Sequence, residues 1–163
     1  MATVSVWRPF ARGTSTSRLV EVLADDPGRW LPAPADGRGL AHWAFTLRAG
    51  PVERTATCRV SAPEGGDDGV VRLLRWKADP EPTDDPRQWQ RALPSFDGAL
   101  VLRSRDGEWP ELRLEGEWTP PQGTIGAALA PGALQVLAER SAESFLTDVI
   151  DNLLQQINRR SVR

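Results

Sequence analysis

Between Glu111 and Ile157 the hydrophobic pattern changes period, and that change restricts the fold more than any other feature of the chain. Leu112, Leu114 and Trp118 alternate with Glu111, Arg113, Glu115 and Glu117. A period of two gives a strand with one apolar face and one wet face. Leu134, Ala138, Ala142, Phe145, Leu146, Val149, Ile150, Leu153 and Ile157 then recur at helical spacing, with Glu143, Ser144, Thr147, Asp148, Asp151 and Gln155 on the other side. Such a stripe marks one long amphipathic helix. It reaches about Asn158, which makes it roughly 40 Å long at 1.5 Å per residue. Pro131 kinks it or opens it at its first position. Arg159, Arg160 and Arg163 suit the negative end of its dipole. A sheet wet on one side followed by one C-terminal helix leaves few architectures open.

The rest of the chain supplies the sheet. Residues 2–9 read as a first strand with Val4 and Val6 on one face, stopped by Pro9. Ser15 or Ser17 caps a short helix through about Ala24, with Leu19, Val20, Val22 and Leu23 as its apolar side. Asp25-Asp26-Pro27-Gly28 is turn chemistry, and Trp30 follows as an anchor. Residues 31–40 read as loop. Strands are predicted at 42–48, 53–61, 70–77, 96–103 and 109–119, with turns at Gly50-Pro51, Gly65 to Gly69 and Asp106-Gly107. Asp79 to Leu93 reads as a long loop, or a loop holding a helical turn around Trp89. Pro120-Pro121 ends the sheet, and Thr124 caps a first helical turn through Leu129. No repeat or second domain interrupts the 163 residues, so a single domain over 1–163 is expected.

Geometry then implies an inner space. Six strands at about 4.8 Å make a sheet roughly 29 Å wide. A helix with its side chains is about 10–12 Å across. One helix does not cover a flat sheet of that width, so the sheet must curl around it, as its twist favours. Any mismatch is filled by large side chains or left as a pocket, and seven tryptophans are available for either. Trp43, Trp76, Trp118 and Phe145 complete a solid core on one reading and wall an apolar ligand site on the other.

The order strand, short helix, meander, long C-terminal helix resembles the helix-grip fold. Its superfamily joins START lipid-transfer domains, polyketide cyclases and aromatases, and plant pathogenesis-related proteins (SRPBCC). Asp26-Pro27-Gly28-Arg29-Trp30 is similar to an element seen after the first helix of many bacterial members. Leu74-Arg75-Trp76-Lys77-Ala78 resembles the central strand. Leu112 to Pro121, then Gly123 and Gly126, resembles the last strand and its exit into the grip helix, which Ala138-Glu139-Arg140 and Phe145-Leu146 match. Ala130-Pro131-Gly132 and the Asp79–Leu93 segment depart from the pattern. The resemblance implies an α+β helix-grip fold: a curved antiparallel sheet of six or seven strands around one long C-terminal helix, with a short helix after the first strand. It also implies a bacterial polyketide cyclase/dehydrase-like relative.

Composition and motifs narrow the chemistry. The formal net charge is −2 without a basic stripe, which argues against nucleic acid as a partner. No stretch approaches the roughly 20 apolar residues of a membrane span. Residues 2–10 lack a signal-peptide core, and Cys58 has no partner for an internal disulfide, so a cytoplasmic location is expected. One lysine against nineteen arginines, with no tyrosine, reads as the codon bias of a GC-rich genome. His42 alternates away from Trp43 and Phe45, and without it no Ser/His/Asp or Cys/His set exists. Cys58 reads as a small buried apolar residue. Metal-ligand and phosphate-loop spacings are absent, Gly123-Thr124-Ile125-Gly126 included, so neither metal nor cofactor is expected. Glu115 and Glu117 lie on the wet face. The acidic stretches at 64–68 and 79–85 read as solvated loops.

Arg72 and Arg75 fall on opposite faces of one strand. Arg72 is predicted to point inward beside Leu74 and Trp76. A buried arginine needs a partner. Either an internal salt bridge or a ligand's carboxylate or phosphate would supply it. The functional expectation is binding of a small apolar molecule or lipid, lined by Trp43, Phe45, Arg72, Leu74, Trp76, Phe96, Leu100, Leu112, Leu114, Trp118, Phe145 and Val149. Two alternatives stand beside it. One is a cyclase or aromatase, for which no acid/base set is visible. The other is a ligand-free interaction module using the sheet edge or the Trp89 loop.

Overall fold

A computed structural model describes residues 2–33, 35–39, 41–49, 52–66, 69–78, 95–105, 109–119 and 131–161. Strand β1 (Ala2–Pro9) leads into helix α1 (Thr16–Ala24) and a tight 3₁₀ turn at Pro27–Arg29. Strands β2 (Asp36–Gly37), β3 (His42–Ala49), β4 (Val52–Val60), β5 (Glu64–Gly66), β6 (Gly69–Ala78), β7 (Ser95–Arg105) and β8 (Trp109–Thr119) follow. The long helix, α2, spans Pro131–Ser161. The strands form one antiparallel sheet in the order β1-β8-β7-β6-β4-β3-β2, with β5 paired to β6.

Two short strands stand where the sequence reads as loop. Asp36 and Gly37 pair with Ala44 and Trp43. Glu64 to Gly66 fold back on Val71 to Gly69. Backbone pairing makes these strands, and their Gly- and Asp-rich composition hides them because side-chain alternation needs side chains. They bring the expected six or seven strands to eight among the described residues. The segment from Asp79 to Leu93 with Trp89, the turns at Gly50-Pro51 and Asp106-Gly107, Pro120-Pro121 and the Thr124–Leu129 turn lie outside the described residues.

Capping begins α1 where the sequence places it. The Ser15 hydroxyl accepts from the Arg18 amide at 3.4 Å, and Leu19, Val22 and Leu23 are buried beneath the helix. The 3₁₀ turn starts on Asp26, whose carboxylate accepts from the Gly28 amide at 2.9 Å. Helix α2 then runs obliquely over the sheet. Near its start Gln135 reaches the Thr3 carbonyl of β1 at 3.5 Å. Half-way along, the Phe145 ring lies 5.7 Å from that of Phe45 on β3. Near its end Arg160 binds Asp25 at 2.9 Å and Glu21 at 3.7 Å.

In a flat sheet β1 and β3 would stand roughly 24 Å apart, five strand spacings. Contact of one helix with both is met by an oblique crossing of a twisted, curling sheet. The long helix is not the sheet's lone cover, however. Helix α1 packs on β6 and β7, and therefore closes the middle of the sheet that width alone would leave open.

Candidate functional site

Strand register sorts the inner face into rungs. Cys58, Trp76, Phe96, Trp118 and Ala2 form one; Val60, Leu74, Gly98, Gly116 and Val4 form the next. Arg72, Leu100, Leu114 and Val6 form a third, and Val70, Leu102 and Leu112 a fourth. Apart from the half-buried Val6 and the two glycines, every one of these residues is buried.

The first rung is an aromatic block. Trp76 stands at its centre, with ring centroids 4.3 Å from Phe96, 4.9 Å from Phe145, 5.3 Å from Trp118 and 5.7 Å from Phe45. Its pairs with Phe45 and Trp118 are edge-on, at 82° and 79°. Edge-on pairs match positive ring edges to negative faces and are worth about 0.5–1.5 kcal/mol beyond area burial. Phe96 fits because Gly98 and Gly116 leave a notch for its ring.

The sequence-predicted lining residues thus divide. Phe45, Trp76, Phe96, Trp118 and Phe145 meet in the aromatic block. Leu74 lies one rung away, and Arg72, Leu100 and Leu114 share the rung beyond it. Leu112 is one rung further, and Val149 is buried on α2. Trp43 stands apart, half-buried, with its ring lying on Gly28 of the 3₁₀ turn and near Gly37. A Cβ added to Gly28 would come within 2.8 Å of that ring.

Polar groups on this face are few and unusual. Arg72 points inward and is 4% exposed. Its Nη1 donates to the Ala24 carbonyl at 3.3 Å, and its guanidinium carbon lies 5.7 Å from the Trp30 ring centre. The first contact sets a cation at the negative end of α1, and the second sets it over an aromatic face. Of the two partners weighed from sequence, an internal salt bridge is not found among the described residues, where no carboxylate pairs with Arg72. Burial pulls the Arg72 pKa below its ordinary value, yet an arginine starts so high that it keeps its charge.

Among the described residues four buried nitrogens have no hydrogen-bond partner: Nε of Arg72 and Nε1 of Trp30, Trp76 and Trp118. All are donors. Trp30 is held in place from α2, where Asn152 Nδ2 donates to the Leu31 carbonyl at 2.8 Å and to the Trp30 carbonyl at 3.4 Å. Sequence reading marks Trp30 as an anchor but does not place it against Arg72. Asn152 carries no signal in the sequence, because a polar residue on an amphipathic helix reads as solvent-facing.

Cys58 is buried, and burial pushes its thiol up to about 12. A thiol held there has almost no thiolate at neutral pH and is a poor nucleophile. His42 is exposed, as its alternation predicts. Among the described residues no group of three His, Cys, Asp or Glu side chains is placed to hold a metal ion, and no helix is long and apolar enough to cross a membrane. A surface hollow of about 400 Å³ lies outside the sheet–helix space, lined by Arg29, Gln156, Arg159 and Arg160. Asp25 already binds two of these arginines, at 2.8 and 2.9 Å.

No protein-family model and no curated protein matches the chain. Solved structures do. The Zhui aromatase/cyclase from Streptomyces sp. R1128 superposes with a TM-score of 0.62 at 16% identity, over 99% of this chain and 97% of that one. The fold is the helix-grip fold. A conserved protein from Geobacillus kaustophilus matches the helix-grip chain with a TM-score of 0.51 at 12% identity, over 96% of this chain and 94% of that one. Protein Ms6760 from Mycobacterium smegmatis gives 0.51 at 16% identity, over 93% and 87%. At such identities the likeness shows the helix-grip architecture, and residue roles must come from this chain.

Proposed function

We propose that this helix-grip protein binds a small hydrophobic molecule or lipid between the inner face of its sheet and its helices. One observation carries the reading: the inner wall is apolar, yet it holds buried N–H donors that no acceptor among the described residues meets. An unpaired buried donor costs about 1–3 kcal/mol. A guest bearing a few oxygen acceptors on an apolar frame would recover part of that cost. Apolar transfer would supply the rest, at about 25 cal/mol per Å² buried.

The aromatic block around Trp76 packs one end of the inner face, so the guest is assigned to the other end, beside Leu100, Leu114 and Arg72. Cyclase chemistry has less support. It needs groups that exchange protons near neutral pH. The buried ionisable side chains among the described residues are Arg72 and Cys58, and neither does so. A cytoplasmic place of action fits the single buried thiol.

Trp30 beside the proposed guest makes tryptophan fluorescence the natural readout. Titration with medium-chain alcohols, fatty acids and polycyclic phenols is expected to give a saturable change with at least one class. A flat response to every class would count against ligand binding and in favour of a solid core.

A further inference from the structure

Arg72 stands out as the one buried charge of the inner face among the described residues. Its rung neighbours Leu100 and Leu114 are apolar and buried, and every carboxylate among the described residues lies elsewhere. Its surroundings answer only part of its chemistry. The Ala24 carbonyl takes one Nη1 hydrogen at a long 3.3 Å, and the Trp30 face offers a diffuse attraction. Nε stays buried without an acceptor among the described residues, and so does Nε1 of the adjoining Trp30. A guanidinium presents its donors as a planar fork that matches two oxygens on one atom.

We infer that the guest is an amphipathic carboxylate, with its carboxylate on Arg72 and its apolar body along Leu100 and Leu114. This rests on the ligand-binding reading above and adds the chemical class. Charge matching selects the class. One carboxylate carries one negative charge and leaves the pair neutral. A phosphate monoester carries about −1.5 to −2 at neutral pH and would leave a surplus buried charge. A hydrocarbon would leave Arg72 as unpaired as it is now, and a simple alcohol would accept one hydrogen bond without neutralising the charge, whose burial is costly.

The test compares dodecanoate, dodecan-1-ol and dodecyl phosphate, each titrated below its micelle concentration against the tryptophan fluorescence of the full chain. Dodecanoate is expected to bind at least about tenfold more tightly than the alcohol, the range set by a charge-assisted hydrogen bond. It is also expected to bind more tightly than the phosphate. Arg72→Met should weaken dodecanoate far more than the alcohol, bringing the two affinities together, and not lower the Tm, because a flexible apolar side chain replaces an unneutralised charge. Arg72→Lys, which keeps the charge without the fork, should retain part of the preference and serves if the methionine variant does not fold. Equal affinity for acid and alcohol in the native chain would overturn the inference while leaving ligand binding standing. So would an undiminished preference in Arg72→Met; Arg72 would then be only the cation that caps α1. Failure of all three probes to bind would remove both the inference and the reading beneath it.

Discussion

Gly98 and Gly116 face each other across β7 and β8, and the ring of Phe96 occupies the space their side chains would take. A Cβ on Gly98 would stand 2.6 Å from the Phe96 ring, and one on Gly116 would stand 2.7 Å from it. Each would also lie 2.6 Å from the Cα of the facing glycine. Phe96 can therefore lie down on the sheet and stack with Trp76 at 4.3 Å.

Either glycine changed to alanine should unsettle the whole aromatic block. The added methyl has no room to escape, since one neighbour is backbone and the other is a ring held by tryptophans. We expect Gly98→Ala and Gly116→Ala each to cost about 3 kcal/mol or more, at the upper end of overpacking. Urea denaturation checks this. A loss under about 0.5 kcal/mol in both variants would mean that Phe96 does not fill the notch.

Asn152 ties α2 to the segment that carries Trp30. Asn152→Ala removes two donated bonds, to the carbonyls of Leu31 and Trp30, and should cost about 1–2 kcal/mol. Asn152→Asp should be worse at neutral pH, because it turns a carboxylate toward two carbonyl oxygens. The gap between the two variants should narrow as the new carboxyl is protonated. Denaturation midpoints at pH 7 and pH 4.5 would show it; equal stability of the two variants at pH 7 would contradict the geometry.

The Cys58 thiol should be silent in the native state. Its burial and its pKa near 12 both withhold the thiolate that alkylating reagents attack. Iodoacetamide at pH 8 is expected to modify the urea-unfolded chain and to leave the folded chain unmodified over the same period, as read by intact mass. Equal labelling rates would place Cys58 outside the core.

Asp148 on α2 should lower stability at neutral pH. Its pKa is raised, first by burial, then by the neighbouring Asp151 and Glu53, against the pull of Arg48. A carboxyl whose folded pKa exceeds its unfolded one opposes folding when ionised. That opposition is full above the folded pKa and vanishes as pH falls below the unfolded value of about 3.9. Asp148→Asn should therefore raise the Tm at pH 7, and its advantage should shrink toward zero near pH 3.5. A lower Tm for Asp148→Asn at pH 7 would refute the assignment.

Much of the fold was legible because its signals are local. The alternation of Leu112, Leu114 and Trp118 against Arg113, Glu115 and Glu117 reads the strand face directly, and β8 spans Trp109–Thr119 as predicted. The stripe from Ala138 to Ile157 does the same for α2, whose matching side chains are buried, Ile150 partly so. The inward turn of Arg72 follows from a period of two and one neighbour, Trp76. The partners of these residues were not legible. That Arg72 meets Ala24 and Trp30 rather than an acid depends on where α1 docks, and the sequences of α1 and β6 carry no term for their mutual placement. The short strands β2 and β5 were missed for a similar reason, since they exist by pairing and not by pattern.

Periodicity and capping, read from sequence alone, determined which segments become strands and helices and which face each turns inward, because side-chain direction follows from backbone geometry over a few residues. Tertiary structure decided what those faces meet. It set α1 over β6 and β7, laid Phe96 on Gly98 and Gly116, and left Arg72 buried against Ala24 and Trp30. These outcomes depend on register and docking between segments far apart in the chain, where packing and desolvation act on pairs that no local pattern records.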